Sequence, residues 1–191
     1  SGWANSVLFH DALRMQFAHI INRPETFALG ERNGCQMMSQ LKDLMVGAEH
    51  FPRFRANKSA RFEARTVNVR VERTKSVLLT GIQDSILPIG IAHGEGYADL
   101  DDKSMAELVR HGQIALRYVD SQGQPTEHYP LNPNGSPEGV TGVCSNDGRV
   151  TLMMPHPERN LRAVNHSWKP DEWQNDGAWM RLFRNARAFL R

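Results

Sequence analysis

Thr26-Phe27-Ala28-Leu29-Gly30-Glu31-Arg32-Asn33-Gly34-Cys35-Gln36 is the stretch on which the fold turns. Thr26 to Leu29 reads as a short buried strand. Gly30 to Cys35 reads as a glycine-rich turn. A helix is expected from about Cys35, with Met37, Leu41, Leu44 and Met45 as its inner face. A sharp strand-to-helix turn lifts its tip residue clear of the sheet edge, the geometry of a nucleophile elbow. Cysteine at a helix start feels the positive end of the helix dipole, which favours the thiolate. On this reading Cys35 is the nucleophile. The backbone N–H of Gln36 would then point at an oxyanion, with Gly34 leaving room beside it. A buried structural cysteine beside a tight turn is the plainer alternative.

Upstream, Phe9, Leu13, Phe17 and Ile20 fall on one face of a helix expected over Trp3 to Ile21, which Pro24 bars from continuing. Downstream, residues 48–60 read as a loop. The alternation of Val67, Val69 and Val71 marks a half-buried strand within 61–72. Further strands are expected at 87–92, 114–119, 140–144 and 149–154, and a helix over 103–112. Asp147-Gly148 signals a hairpin between the last two strands. A closing helix after Asp176 carries Trp179, Leu182, Phe183, Ala186, Phe189 and Leu190 as its apolar stripe. Interleaved strands and helices favour an α/β architecture, and the hairpin makes the sheet mixed.

A second chemical signal is Met153-Met154-Pro155-His156-Pro157-Glu158-Arg159, directly after a strand. Prolines on both sides restrict His156 and suit a rigidly presented imidazole. Glu158 can hold the ring through its second nitrogen, so the pair reads as general base and orienting acid. A loop with incidental His and Glu is the bland reading. His93, in Ala92-His93-Gly94-Glu95-Gly96, ends a strand and could line a cleft; a turn residue bonded to backbone is as good a reading. Ser136, in Asn134-Gly135-Ser136, could help hold a substrate, against the safer reading of a turn. Cys144 reads as core, and Arg61, Arg65 and Arg70 as a solvated strand face.

Composition bounds the class. The 191 residues fit one domain, with 40% hydrophobic and 23% charged residues. Basic and acidic residues number 23 and 21, too even to suggest nucleic acid or anionic lipid as a partner. No apolar run approaches the roughly 18 residues of a membrane span, and the start lacks the pattern of a signal peptide. Two cysteines make no disulfide framework and fit a reducing compartment. No histidine set has zinc-ligand spacing.

Asn33-Gly34-Cys35-Gln36-Met37-Met38 and Met153-Met154-Pro155-His156-Pro157-Glu158-Arg159 resemble the two catalytic motifs of class I, triad-type glutamine amidotransferases. RFEAR at 61–65, AHGEG at 92–96, ALRYVD at 115–120, NPNGSP at 132–137 and the stretch 165–187 are similar to the glutaminase domains of the phosphoribosylformylglycinamidine synthase family. The resemblance covers essentially the whole chain. It implies a flavodoxin-like, doubly wound mixed sheet in a cytoplasmic carbon–nitrogen ligase of purine biosynthesis. Cys35 would attack the side-chain amide of glutamine and form a glutamyl thioester. His156 would take the thiol proton and give one to the departing ammonia, and Glu158 would orient His156. Gly34, Gln36, Ser136 and His93 would line the glutamine site. The ammonia would pass to a synthetase domain of the same polypeptide, where ATP and magnesium activate formylglycinamide ribonucleotide. This chain would carry no cofactor or metal of its own.

Two departures stand out. The family places a small or apolar pair before its Asn-Gly-Cys, where this chain has Glu31-Arg32. A charged pair at the end of a buried strand costs several kcal/mol unless paired or solvated. The family's glycine-rich oxyanion loop also has no counterpart in residues 1–191, so the single domain is expected to lack its first strand–helix units and to be poorly active alone. Two rival readings follow: a cysteine peptidase or deglycase of related fold, and a degenerate glutaminase-like module kept as scaffold.

Overall fold

The computed structural model describes residues 2–191. In chain order its main elements are α1 (Gly2–Leu8), α2 (Asp11–Ile21), β1 (Ala28–Glu31), α3 (Asn33–Gln40), β2 (Arg53–Ala56), β3 (Glu63–Val71), β4 (Ile86–His93), β5 (Glu95–Asp99), α4 (Asp102–Arg110), β6 (Ile114–Tyr118), β7 (Val140–Cys144), β8 (Val150–Met153) and α5 (Met180–Phe189). Six strands form one curled sheet in the order β1-β8-β7-β6-β3-β4, and β2 and β5 form a separate ribbon. Only the β1–β8 pair is parallel, so the mixed α/β expectation holds.

Alternation along the strands sends neighbouring residues into different cores. Leu152, Val143 and Ile114 join Cys35, Met38, Phe51 and Leu108 in one cluster. Met153, Leu116, Val69 and Ile89 join Trp179 and Leu182 in the other. Trp179, fully buried at the start of α5, also donates its indole N–H to the Pro88 carbonyl at 2.8 Å. The hairpin turn falls at Gly148, where a φ of +77° would strain any other residue and a Cβ would lie 2.0 Å from the Lys75 carbonyl oxygen.

The amino-terminal helix departs from expectation. It breaks at Phe9 and His10, where His10 takes an extended conformation and caps α2. Its apolar stripe lies mostly in solvent: Phe9 is 85% exposed, and Phe17 alone of the four packs on the core. Residues 48–60 are also not wholly loop, because Arg53–Ala56 pairs with β5.

Two devices set β1 against β8. The register Ala28↔Val150 through Glu31↔Met153 ends with the Arg32 N–H on the Met153 carbonyl at 3.2 Å. The Arg149 guanidinium donates to the carbonyls of Ile21 and Thr26 at 3.3 and 2.7 Å, fixing where the chain enters β1. The carboxyl ends of β1 and β8 therefore emerge side by side.

Candidate active site

The turn from β1 to α3 is an elbow, and its tip is Arg32. Arg32 has φ +48° and ψ −110° and precedes the first helical residue, Asn33. A positive φ is strained for a non-glycine residue and is the mark of an elbow tip. The crowding that forces the turn is explicit at Gly30, where a Cβ would come within 2.5 Å of Leu152 Cδ2 and 3.0 Å of Met38 Sδ.

This corrects the reading of Cys35. The helix begins two residues before Cys35, so Cys35 sits inside the first turn of α3, facing inward. It is 0% exposed and belongs to the core cluster with Leu152 and Met38. Burial pushes its thiol well above the usual value, against the thiolate a nucleophile needs. No hydrogen bond joins Cys35 to His156, whose Nε2 is buried and without a partner. Cys144 is core, as expected, with its sulfur 3.1 Å from Thr74 Oγ1. Gln36 needs the same correction. Its N–H closes the first helical bond onto the Arg32 carbonyl at 2.9 Å and is not free for an oxyanion. Gly34 faces open space, with nothing within 4 Å of a Cβ built there.

The structure does bring His156 and Glu158 together. His156 is 3% exposed, and its backbone N–H is pinned to the Gly90 carbonyl of β4 at 2.8 Å. Asn160 Oδ1 accepts the Gly90 N–H at 2.8 Å and locks the crossing. Nδ1 of His156 lies 2.7 Å from Glu158 Oε1 and 3.1 Å from Glu31 Oε1. Glu31 is a member of the site that the motifs did not indicate; its signal was the departure from an apolar pair. Burial, and then the neighbouring Glu158, raise the Glu31 carboxyl to about 8. Burial also works to raise Glu158, but hydrogen bonds with Glu31 and His156 outweigh it and hold Glu158 below its ordinary value. Among the described residues these three offer the one cluster of metal-type ligand atoms, all within 4.8 Å of one another.

His93 lies beside the elbow, in a pocket of about 210 Å³ lined also by Arg32, Asn33, Gln36, Glu95 and Met154. Ser136 is elsewhere. It is fully buried, and its hydroxyl bonds to the Ala98 N–H at 3.0 Å and the Gly96 carbonyl at 3.3 Å, tying β5 to the 132–136 turn. The turn reading was the better one for Ser136. Arg65 and Arg70 are only partly exposed and pair with the buried Glu63 and the partly buried Glu72.

The structure thus places the His156 imidazole, with Glu158 and Glu31 at its Nδ1, past the end of β8, and Arg32 at the tip of the turn that follows β1.

A family model described as the CobB/CobQ-like glutamine amidotransferase domain matches residues 1–190. The structure of PurLQS from Thermotoga maritima is similar with a TM-score of 0.64 and 22% identity, over 97% of this chain and 68% of that one. The structure of a putative GMP synthase subunit from Thermoplasma acidophilum is similar with a TM-score of 0.51 and 13% identity, over 98% of this chain and 67% of that one. At such identities these two likenesses speak for the fold alone.

Proposed function

Because this chain belongs to the family of CobB/CobQ-like glutamine amidotransferase domains, with the flavodoxin-like α/β fold of the class I type, we propose that it is the glutaminase-type domain of a phosphoribosylformylglycinamidine synthase, and that its own thiol step is lost. The observation that carries the second half is Arg32 at the elbow tip, with Cys35 shut in the core. Amide cleavage by this route needs a thiolate to attack the glutamine side-chain carbon, ammonia to leave, and water to release glutamate from the thioester. A guanidinium, a fork of N–H donors with no acceptor, supplies no electron pair for the first bond. His156 and Glu158 keep the base and its orienting acid but have no thiol to act on.

The purine assignment is supported by the motifs at 61–65, 92–96, 115–120 and 132–137. The partner is then a synthetase domain, on the same polypeptide, that uses ATP and magnesium to activate formylglycinamide ribonucleotide for ammonia. A cytoplasmic setting accords with that chemistry. Among the described residues no helix is long and apolar enough to cross a membrane.

Glutamate release and amidine formation by the intact ligase, with glutamine or with ammonium as nitrogen donor, test this reading. Ammonium is expected to support synthesis and glutamine not to. Arg32→Cys is expected to bring back glutamine hydrolysis that Cys35→Ala does not remove. Glutamine hydrolysis by the unaltered protein that is abolished by Cys35→Ala would overturn it.

A further inference from the structure

Arg32 ends in an unusual position for a half-buried cation. Its guanidinium makes no hydrogen bond or ion pair with any described residue. It shares its pocket with a second unpaired polar group. His93 is 3% exposed, yet its Nδ1 has no partner.

Around His93 runs a buried polar network, with Nε2 at 2.9 Å from Asn134 Nδ2 and 3.2 Å from Asn134 Oδ1. Asn57 Oδ1 accepts from the Gly96 N–H at 2.9 Å and from Asn134 Nδ2 at 2.7 Å. Asn134 Oδ1 accepts the Tyr118 hydroxyl at 2.6 Å. Burial, the largest influence on this ring, keeps it neutral down to about pH 4, and a neutral ring offers one donor and one acceptor nitrogen. His93 thus brings to the pocket that Arg32 lines a neutral imidazole whose buried Nδ1 has no partner.

The unpaired guanidinium of Arg32 wants an acceptor, and an anionic one, beside a ring nitrogen that also lacks a partner. The free N–H groups in the first turn of α3 add the positive end of a helix dipole on the same side. At about 210 Å³ the pocket is smaller than the roughly 300–1,000 Å³ of sites for drug-sized ligands. A carboxylate matches the arginine fork in two parallel charge-assisted bonds; an amide offers a neutral oxygen and an N–H₂ group that meets the donors badly. Glu95, whose carboxylate takes Gln36 Nε2 at 2.6 Å, lines the same pocket and supplies the charge an ammonium group would seek.

We propose that Arg32 and His93 turn this pocket into a receptor for a small amino-acid carboxylate, so that it binds L-glutamate in preference to L-glutamine. The inference rests on the proposed function, in which the elbow faces the distal group of the amino acid. The side-chain carboxylate would sit on Arg32, at the place where an amide would meet a nucleophile.

Calorimetric titration of the intact protein with L-glutamate and with L-glutamine at pH 7.5 tests it, with ammonia measured in the same cell. Glutamate is expected to bind at least tenfold more tightly, and Arg32→Ala to bring the two within about threefold of each other. Arg32→Lys, which keeps the charge but not the fork, is expected to retain only part of the preference. Equal affinities, a preference for glutamine, binding of neither, or a preference that survives Arg32→Ala would overturn the proposal. Ammonia release from glutamine would instead strike at the functional reading beneath it.

Discussion

Glu31 and Glu158 share a single hydrogen-bond partner, the Nδ1 of His156, at 3.1 and 2.7 Å. Two carboxylates crowded onto one nitrogen do not both ionise freely. The folded protein keeps the Glu31 proton to about pH 8, whereas an ordinary glutamate loses it near 4.5. Between those values the folded state holds more protons than the unfolded chain, so this residue's contribution to stability falls as pH rises. Glu31→Gln is expected to melt higher than the unaltered protein at pH 8.5, by about 2–4 °C or roughly 1 kcal/mol. The advantage should vanish near pH 4. Melting curves across that range check it; an advantage independent of pH would contradict the shared-proton account.

Cys35 is expected to resist alkylation in the folded protein. Its sulfur lies in a closed apolar cluster with its pKa pushed up by burial, so the thiolate is scarce and out of reach. A glutamine-like electrophile should leave Cys35 and Cys144 unlabelled until the protein unfolds. In Arg32→Cys the new thiol should be labelled at least 100-fold faster than either. Peptide mapping by mass after a timed exposure decides the matter, and rapid native labelling of Cys35 would reverse the placement of the elbow tip.

Gly30→Ala is expected to destabilise the fold by about 1–3 kcal/mol, the usual range for overpacking. The added methyl would press on Leu152 Cδ2 at 2.5 Å and Met38 Sδ at 3.0 Å, between β8 and α3. Denaturant midpoints measure the loss. A change within 0.5 kcal/mol would show that the β1–α3 turn gives way more easily than its contacts imply.

The sheet was largely legible, and the register of the elbow was not. Val67, Val69 and Val71 announce β3 because alternation has one cause, a half-buried strand. Trp179 and Leu182 announce α5 for the parallel reason in a helix. β2 was hidden because Arg53 and Arg55 surround its one buried apolar residue, Phe54, in a ribbon largely open to solvent. At the elbow, Asn33-Gly34-Cys35-Gln36 draws attention to the thiol, the residue with chemistry. The tip is set instead by backbone dihedrals at Arg32, and nothing in an arginine signals a positive φ. The pairing of Glu31 with His156 was illegible for another reason. It depends on the parallel register of β1 and β8, which pattern alone does not give.

Asn134→Ala is expected to cost at least about 2 kcal/mol through the loss of its buried hydrogen bonds. Its removal strands the Tyr118 hydroxyl, one bond to Asn57 Oδ1, and His93 Nε2, all deep in the protein. Each buried polar group left unpaired costs about 1–3 kcal/mol. Thermal unfolding of Asn134→Ala beside Tyr118→Phe, which removes one member of the network, apportions the loss. Equal losses for the two would place the whole effect on the tyrosine bond.

The pairing of β1 with β8 also governs when the site exists. Glu31 and His156 are 125 positions apart, and β1, at the edge of the sheet, pairs with no strand but β8. Closing so long a loop is entropically expensive and slow relative to local contacts such as the β3–β4 hairpin. In refolding, the β3–β4 hairpin and the β7–β8 turn have every chance to form while the elbow and the imidazole are still strangers. A spectroscopic probe at Arg32 or His156 would then report the last stage of folding, and during synthesis the site would remain unmade until the strand carrying Met153 had left the ribosome.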